Sequence, residues 1–458
     1  MDRRQFISLA ATGLAATSQN YAAARIAQTD HATNSTRRHP SKPNIVWIWA
    51  DNLAWRDLGI YGNPNMKTPA IDQLAREGVR LTQYYIAHTV CSPSRAALLT
   101  GRQPFRTGIV DVLRPDSPTG LPTDEITIAG ALKKQGYAAA CIGKWHLGDR
   151  DVYLPRQHGF DAYFGLPYSM DMLPTLLYRD NQIIDRLDGD KVQNVTERLV
   201  DAALDFVRSN QSQPFFLYFS HTLPHPPINL PPQERSQNHT LYEDAIQHMD
   251  SQTQRIFNEL DRLGLRENTL IFFSSDNGPM MNDGDTGGLR GGIRDSYEGG
   301  IRVPLIASWS GVLPRGKVVH TPAIAYDIFP TLLRVAGSEL PNDRLYDGQD
   351  IWPLLSGEEK TFVRRKPFVW VYEDNVTAIR DGQWKYHVAN RSQTLATPEL
   401  YDLENDPTEH HPVNDDFPEV ARRLQTQIDK FQSEMPKVWS LKYPVRDPLK
   451  RPSGIRRK

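Results

Sequence analysis

Hydrophobic residues fall along this chain as short unbroken runs separated by longer stretches with helical spacing. Asn44-Ile45-Val46-Trp47-Ile48-Trp49 and Thr269-Leu270-Ile271-Phe272-Phe273-Ser274-Ser275 are of strand length and do not alternate with polar residues, the pattern of strands buried on both faces of a parallel sheet. Residues 214–220 and 304–309 repeat the theme, and 137–143 is a strand of small residues. Between these runs the apolar spacing predicts helices over 68–78, 123–136, 195–209 and about 242–263, and another from Tyr326 through Leu333. Alternating strands and helices define an α/β fold: a large mixed, mostly parallel central sheet with helices on both faces. From about Arg364 the character changes to short strands over 368–372, 376–379, 383–387 and 399–402, followed by a helix over 419–434. That predicts a small C-terminal α+β subdomain with an antiparallel sheet. Residues 159–171 show no regular period, and 281–302 reads as a long glycine-rich loop.

A chain of 458 residues with 39% hydrophobic content can bury a large core. Its formal net charge of -1 argues against a nucleic-acid binder, and the basic run Lys450-Arg451 with Arg456-Arg457-Lys458 reads as a solvated tail. Two cysteines, Cys91 and Cys141, make no disulfide framework. Arg3-Arg4-Gln5-Phe6-Ile7, a mildly apolar run and Ala22-Ala23-Ala24 follow one another as in a bacterial twin-arginine (Tat) signal. The expected organisation is therefore a signal peptide over 1–24 addressed to the Tat export machinery, a linker over 25–42, a catalytic domain over 43–363 and the C-terminal subdomain over 364–458. No later stretch approaches a transmembrane span, so the expectation is a periplasmic or secreted protein with no stable membrane anchor.

Two distant strands both run into an Asp-Asn pair, Asp51-Asn52 and Asp276-Asn277-Gly278. One Asp-Asn-Gly is ordinary turn chemistry, but two at strand ends point to the carboxyl edge of a sheet, where α/β proteins build their sites. Lys144 and His146 leave another strand end two residues apart, and a proline-rich turn after 214–220 presents His221 and His225. Cys91 precedes an apolar helix, with Ser92 expected as N-cap, Pro93 as first helical residue, Arg95 one turn in and Gly101 as the stop. Taken alone, Cys91 reads as a small buried residue beside a helix. Asp51, Asn52, Asp276 and Asn277 offer hard oxygen ligands without thiolate or imidazole, which points to Ca²⁺ or Mg²⁺ rather than zinc. Arg95, Lys144, His146 and His225 add a positive bias suited to a tetrahedral oxyanion ester. The missing part is the nucleophile, because a thiolate at Cys91 matches a hard cation poorly.

Cys91-Ser-Pro-Ser-Arg95 with Thr100-Gly101, Gly143-Lys144-Trp-His146-Leu-Gly148, Pro224-His225-Pro226, Asp276-Asn277-Gly278 and Tyr297-Glu298-Gly299-Gly300 through Pro304 together resemble the type I sulfatases of the alkaline-phosphatase-like superfamily. Pro167-Tyr168-Ser169 with Asp171 further resembles the arylsulfatase A and N-acetylgalactosamine-6-sulfatase branch. The resemblance runs from about Pro43 to Trp384-Lys385. It implies that a formylglycine-generating maturation enzyme converts Cys91 to formylglycine, whose hydrate supplies a metal-bound oxygen nucleophile for in-line attack on sulfur. By the same resemblance Cys91 joins Asp51, Asn52, Asp276 and Asn277 around the cation and His225 protonates the leaving oxygen. Lys144 binds sulfate, His146 helps expel it, Arg95 holds the formylglycine end, and Ser169 contacts substrate.

Two positions depart from the family pattern. Asn52 stands where an aspartate is usual, and the register of Tyr297-Glu298-Gly299-Gly300 puts Ile293 where a substrate-binding lysine is usual. The first removes a negative charge from the site and the second a positive one, an apparent compensation, with Arg290 or Arg294 as the candidate replacement donor. The reading is a sulfuric ester hydrolase acting on a sulfated carbohydrate, with an aryl sulfate as surrogate. The alternatives are a phosphonate or phosphate monoester hydrolase of the same superfamily and a degenerate, non-catalytic binder of sulfated glycans.

Overall fold

The strands of the main sheet are β1 (Asn44–Asp51), β2 (Val79–Tyr85), β3 (Ala138–Lys144), β4 (Ala162–Leu166), β5 (Leu176–Arg179), β6 (Gln182–Arg186), β7 (Phe215–Pro224), β8 (Thr269–Ser275), β9 (Arg302–Ser308), β10 (Lys317–Val319) and β11 (Ala323–Ile324). The structure is a computed structural model and describes residues 42–280, 283–372, 375–389 and 395–435. The expected signal peptide, almost all of the linker and the C-terminal basic run lie outside these. The eleven strands are ordered β10-β2-β9-β8-β1-β7-β3-β4-β5-β6, with β11 also on β2. β1 runs parallel to both β7 and β8, and β3 parallel to β7 and β4, whereas β9 is antiparallel to β2 and β8.

Two-sided burial accounts for the unbroken apolar runs. Every residue of β1, β7 and β8 is buried, and successive β1 residues point to opposite cores. Ile45, Trp47 and Trp49 pack with Leu98, Leu99, Leu132 and Phe329, from helices Cys91–Thr100, Ile128–Lys133 and Ile328–Val335. Val46, Ile48 and Ala50 pack with Ile71, Leu199 and Ile256, from helices Pro69–Arg76, Val195–Ser209 and Leu241–Arg262. Helices therefore cover both faces, as the pattern predicts.

A second, antiparallel sheet is ordered β12 (Phe368–Tyr372), β13 (Asn375–Asp381), β14 (Trp384–His387), β15 (Glu399–Asp402), and is covered by helix Pro418–Glu434 through Leu424 and Ile428. It is tied to the main sheet region by Trp370 Nε1, which donates to Ile86 O at 2.9 Å.

The structure differs from the sequence reading at several elements; one is β7, which runs on to Pro224 and so holds His221 inside the strand rather than on the turn after it. The expected 123–136 helix is trimmed to Ile128–Lys133, capped by Thr127, whose hydroxyl accepts from Gly130 N. The stretch 159–171 contains β4, and the hairpin β5–β6 follows it through Asp180, a turn residue with φ of 55°. β2 was not expected, because Arg80, Thr82 and Gln83 interrupt its apolar residues.

Candidate active site

Four adjacent strands, β8, β1, β7 and β3, deliver their carboxyl ends to one place. Asp51 closes β1, Lys144 closes β3, His225 follows β7 and Asp276 follows β8. Gly143 lets β3 lie against β7 there, since a Cβ at this residue would sit 1.8 Å from Ser220 O and its φ is +107°. Cys91 is itself the first residue of the Cys91–Thr100 helix, with extended Val90 as N-cap. This corrects the expected start: Ser92 caps nothing, and its Oγ instead accepts from Leu113 N at 3.0 Å. Gly101 ends the helix in the left-handed conformation, as expected.

Cys91 Sγ lies 3.9 Å from Asp51 Oδ1 and 3.9 Å from Asn52 Oδ1. Ligand atoms of Asp51, Cys91 and His225 all fall within 4.8 Å of one another. Asn277 Nδ2 donates to Asn52 Oδ1, and the buried Asn277 Oδ1 has no hydrogen-bond partner among the described residues. Asn52 takes a left-handed φ of 66°, and its N–H donates to Asp276 Oδ1 at 3.1 Å. Carboxylate and amide oxygens converging beside residue 91 are the donor set of a hard divalent cation, so the residues present fit Ca²⁺ or Mg²⁺.

Buried cations enclose this set. Lys144 Nζ donates to Asp51 Oδ2 at 2.6 Å. Arg95 forks onto Asp276 Oδ2 through Nε at 3.0 Å and Nη2 at 2.6 Å, donates to Lys144 O at 3.0 Å and reaches Ser220 Oγ. Its guanidinium lies 5.3 Å from the centroid of the Trp49 ring. Burial raises the Asp51 carboxyl, but Lys144, His225 and Arg95 outweigh it and hold the group below the usual range. Asp276 is pushed up, first by burial and then by the Asp51 charge. Two buried carboxylates that resist joint ionisation are what a divalent cation between them would relieve. Burial also pushes the Cys91 thiol up, despite Lys144, so an unmodified cysteine stays a neutral thiol and a poor nucleophile.

His146, with φ of 60°, faces Leu113 O through Nε2 at 3.0 Å, which makes Nε2 the protonated nitrogen and leaves the buried Nδ1 without a partner among the described residues. Burial, then Lys144 and Arg95, keep this ring neutral. His225 Nδ1 pairs with Pro226 O, and Nε2 makes no hydrogen bond among the described residues. Tyr168 stands edge-on to His146 at 5.8 Å, and next to it Ser169 Oγ is buried without a hydrogen-bond partner among the described residues. The two arginines of the glycine-rich loop separate. Arg290 stacks on Tyr297 and donates to Tyr401 OH at 2.9 Å and Glu409 O at 3.1 Å, toward the second sheet. Arg294 lies beside the nucleophile segment, its N–H donating to Thr89 O at 3.0 Å and its Nη1 to Tyr372 OH at 2.7 Å. Sequence reasoning missed Ser220, Trp49 and the pair His88–Tyr372, whose rings are 5.7 Å apart. Only the position of Ser220 and Trp49 near the ends of apolar strands hinted at them.

This fold and site define a hydrolase of tetrahedral oxyanion esters in the alkaline-phosphatase-like class. Residues 43–338 match the Sulfatase family, and 293–434 match the C-terminal region of N-sulphoglucosamine sulphohydrolase. The chain is 36% identical to dog (Canis lupus familiaris) N-acetylgalactosamine-6-sulfatase over 378 residues, 76% of this chain and 72% of that protein. It is 36% identical to bovine (Bos taurus) arylsulfatase A over 446 residues, covering 86% and 87% of the two chains. The solved structure of Ps i-CgsB in complex with k-i-k-neocarrahexaose superposes with a TM-score of 0.78 at 28% identity, over 86% of this chain and 94% of that one. The chain belongs to the sulfatase family, in the branch of arylsulfatase A and N-acetylgalactosamine-6-sulfatase, and is a sulfuric ester hydrolase.

Proposed function

We propose that the substrate is a sulfated carbohydrate, that residue 91 works as formylglycine, and that Ca²⁺ or Mg²⁺ sits beside it on Asp51, Asn52, Asp276 and Asn277. The observation that carries this is Cys91 Sγ at 3.9 Å from both the Asp51 and the Asn52 side-chain oxygens, inside a buried ring of Lys144 and Arg95. A carbohydrate substrate is supported by the oligosaccharide bound to Ps i-CgsB and by the aminosugar named for the dog relative. When present, the cation and the formylglycine hydrate supply Lewis-acid charge and an oxygen nucleophile.

The chain's own residues do the rest. Lys144 places its ammonium against a sulfate oxygen while neutralising Asp51. Arg95 fixes the Asp276 carboxylate and, through Lys144 O, the end of β3. The lone pair on His146 Nδ1 takes a proton as sulfate departs, and His225 Nε2 gives one to the leaving oxygen. Arg294 replaces the donor absent at Ile293, Ser169 contacts substrate, and Arg290 acts indirectly from the loop's base. Residues 1–24 direct Tat export after maturation of Cys91, so the enzyme works in the periplasm or outside the cell. We place the boundary between the catalytic part and the C-terminal subdomain near residue 363. No helix among the described residues is long and apolar enough to cross a membrane.

The test is mass spectrometry of the Cys91 peptide from the native host, with metal analysis and rates on aryl sulfate against aryl phosphonate. An aldehyde at residue 91, a bound divalent cation and preference for the sulfate are expected. An intact thiol throughout the population would sink the mechanism.

A further inference from the structure

The loop carrying Ile293 and Arg294 is gripped at both ends by one residue that lies far away in sequence. Glu409, in the turn after β15, is fully buried and has φ of 57°, a left-handed conformation that non-glycine side chains rarely adopt. Its Oε2 accepts the backbone N–H of Glu298 at 2.5 Å, and its own carbonyl accepts Arg290 Nη1 at 3.1 Å. Glu298 ends the loop and Arg290 begins it. Between them the loop is drawn shut by Gly299 N donating to Arg290 O at 2.7 Å. A Cβ at Gly300 would meet Asp295 O at 2.2 Å, so the loop has no slack against the glycine pair. Arg294 N, bonded to Thr89 O, pins the loop two residues before Cys91.

The grip is itself fixed. Glu409 Oε1 accepts from His387 Nε2 at 2.7 Å and pairs with Lys385 Nζ at 3.0 Å, and Lys385 also holds Glu298 Oε1 at 2.9 Å. Glu298, Lys385, His387 and Glu409 are all buried, so water cannot take the place of a lost partner. Tyr297 stacks on His387 with ring centroids 4.3 Å apart, closing the set from the loop side. A residue whose role was stability alone would not need to bind both termini of a loop that touches the nucleophile segment.

We infer that Glu409 is a positioning residue: it fixes both ends of the 290–298 loop and thereby sets where Arg294 stands against Thr89, two residues before Cys91. The kinetic consequence rests on the sulfatase reading; the mechanical one does not. Glu409→Gln keeps the size of the side chain, but its amide NH₂ must face either the Glu298 N–H or the Lys385 and His387 donors. In the full-length matured enzyme KM for an aryl sulfate is expected to rise roughly tenfold, the scale of one lost buried anchor, with kcat within about twofold. Hydrogen exchange in the resting protein is expected to speed up at 290–297 and stay unchanged in β1 and β8. An unchanged KM, a fall confined to kcat, or faster exchange spread evenly over the chain would each overturn the inference. If Glu409→Gln does not fold, Arg290→Met cuts the carbonyl end of the grip, together with the bond to Tyr401 OH and the pair with Glu399, leaves the Glu409 side chain in place, and is read by the same outcomes. A wild-type protein that leaves aryl sulfate untouched counts against the sulfatase reading, and the exchange experiment then decides this one alone.

Discussion

Lys144 Nζ stands 2.6 Å from Asp51 Oδ2 with both side chains buried, so one ammonium serves as counter-ion to the carboxylate that closes β1. Arg95 is the next positive charge to Asp51, at 3.8 Å. Lys144→Ala should therefore lower kcat/KM on an aryl sulfate by roughly 10²–10³, the usual cost of one preorganised donor in a closed site. It should also cost several kcal/mol of stability in metal-free protein, where the buried Asp51 loses its nearest counter-ion and keeps His225 and Arg95. Added Ca²⁺ or Mg²⁺ should recover part of that stability, because the cation binds only the folded state. Thermal melts with and without metal, beside the kinetics, check both effects.

The paired departures at Asn52 and Ile293 can be separated by a double-mutant cycle. Asn52→Asp adds a third carboxylate near Asp51 and Asp276, and Asn277 Nδ2 already points at that position. Metal affinity in that variant is expected to rise about tenfold, since ligand charge sets affinity in oxygen sites. Ile293→Lys adds a cation to the loop and should lower KM for the sulfate ester. If the two changes compensate, their combined effect departs from the sum by about 1 kcal/mol. Strict additivity in titration calorimetry and in KM would show that they are unrelated.

Gly143 is where the sheet and the site meet most tightly. Gly143→Ala puts a methyl 1.8 Å from Ser220 O at a φ of +107° and forces β3 away from β7. Ser220 Oγ receives Arg95, so the displacement reaches the site as well as the core. A loss of roughly 3 kcal/mol or more is expected, read as the denaturant midpoint. Gly136, at φ of +84° with nothing within 4 Å of its Cβ position, is the control. Alanine there should cost about 1 kcal/mol, from backbone conformation alone.

How much of this was legible in the sequence follows from range. β1, β7 and β8 are buried on both faces, so their unbroken apolar runs identified them, and the polar residues just past their ends marked the site. β2 escaped because it alternates with Arg80, Thr82 and Gln83. β6 escaped because an edge strand with mostly exposed residues carries no apolar run. Ser92 looked like a cap until Leu113 N, a partner twenty-one positions away, claimed its hydroxyl. The two loop arginines could not be told apart, since their separation is imposed by Tyr401 and Glu409 on one side and Thr89 and Tyr372 on the other. Contacts of that kind have no local signature.

Acid should destabilise the protein well before its carboxylates are exhausted. Burial, then Arg294, lowers His88 to about 3; burial, then His248, lowers His221 to about 3; burial lowers His158 to about 4. Each stays neutral in the fold while its unfolded counterpart takes a proton below about 6.5, so the unfolded chain binds more protons and stability is lost as pH falls through that window. Asp57 and Asp250 work the other way. Burial raises both to about 6, against the Tyr242 hydroxyl at Asp57 and the Ile71 and Ala70 N–H groups at Asp250. Their stabilising protons are present at low pH and lost as pH rises toward 6. The three histidines pull stability down as pH falls between about 6 and 4, each by about 1.4 kcal/mol per pH unit, and the two aspartates oppose them. The urea midpoint should fall accordingly across that range. His221→Gln, which removes one histidine from outside the catalytic set, should reduce the slope by about 1.4 kcal/mol per pH unit. A slope unchanged in that variant would mean that other groups govern the acid limb.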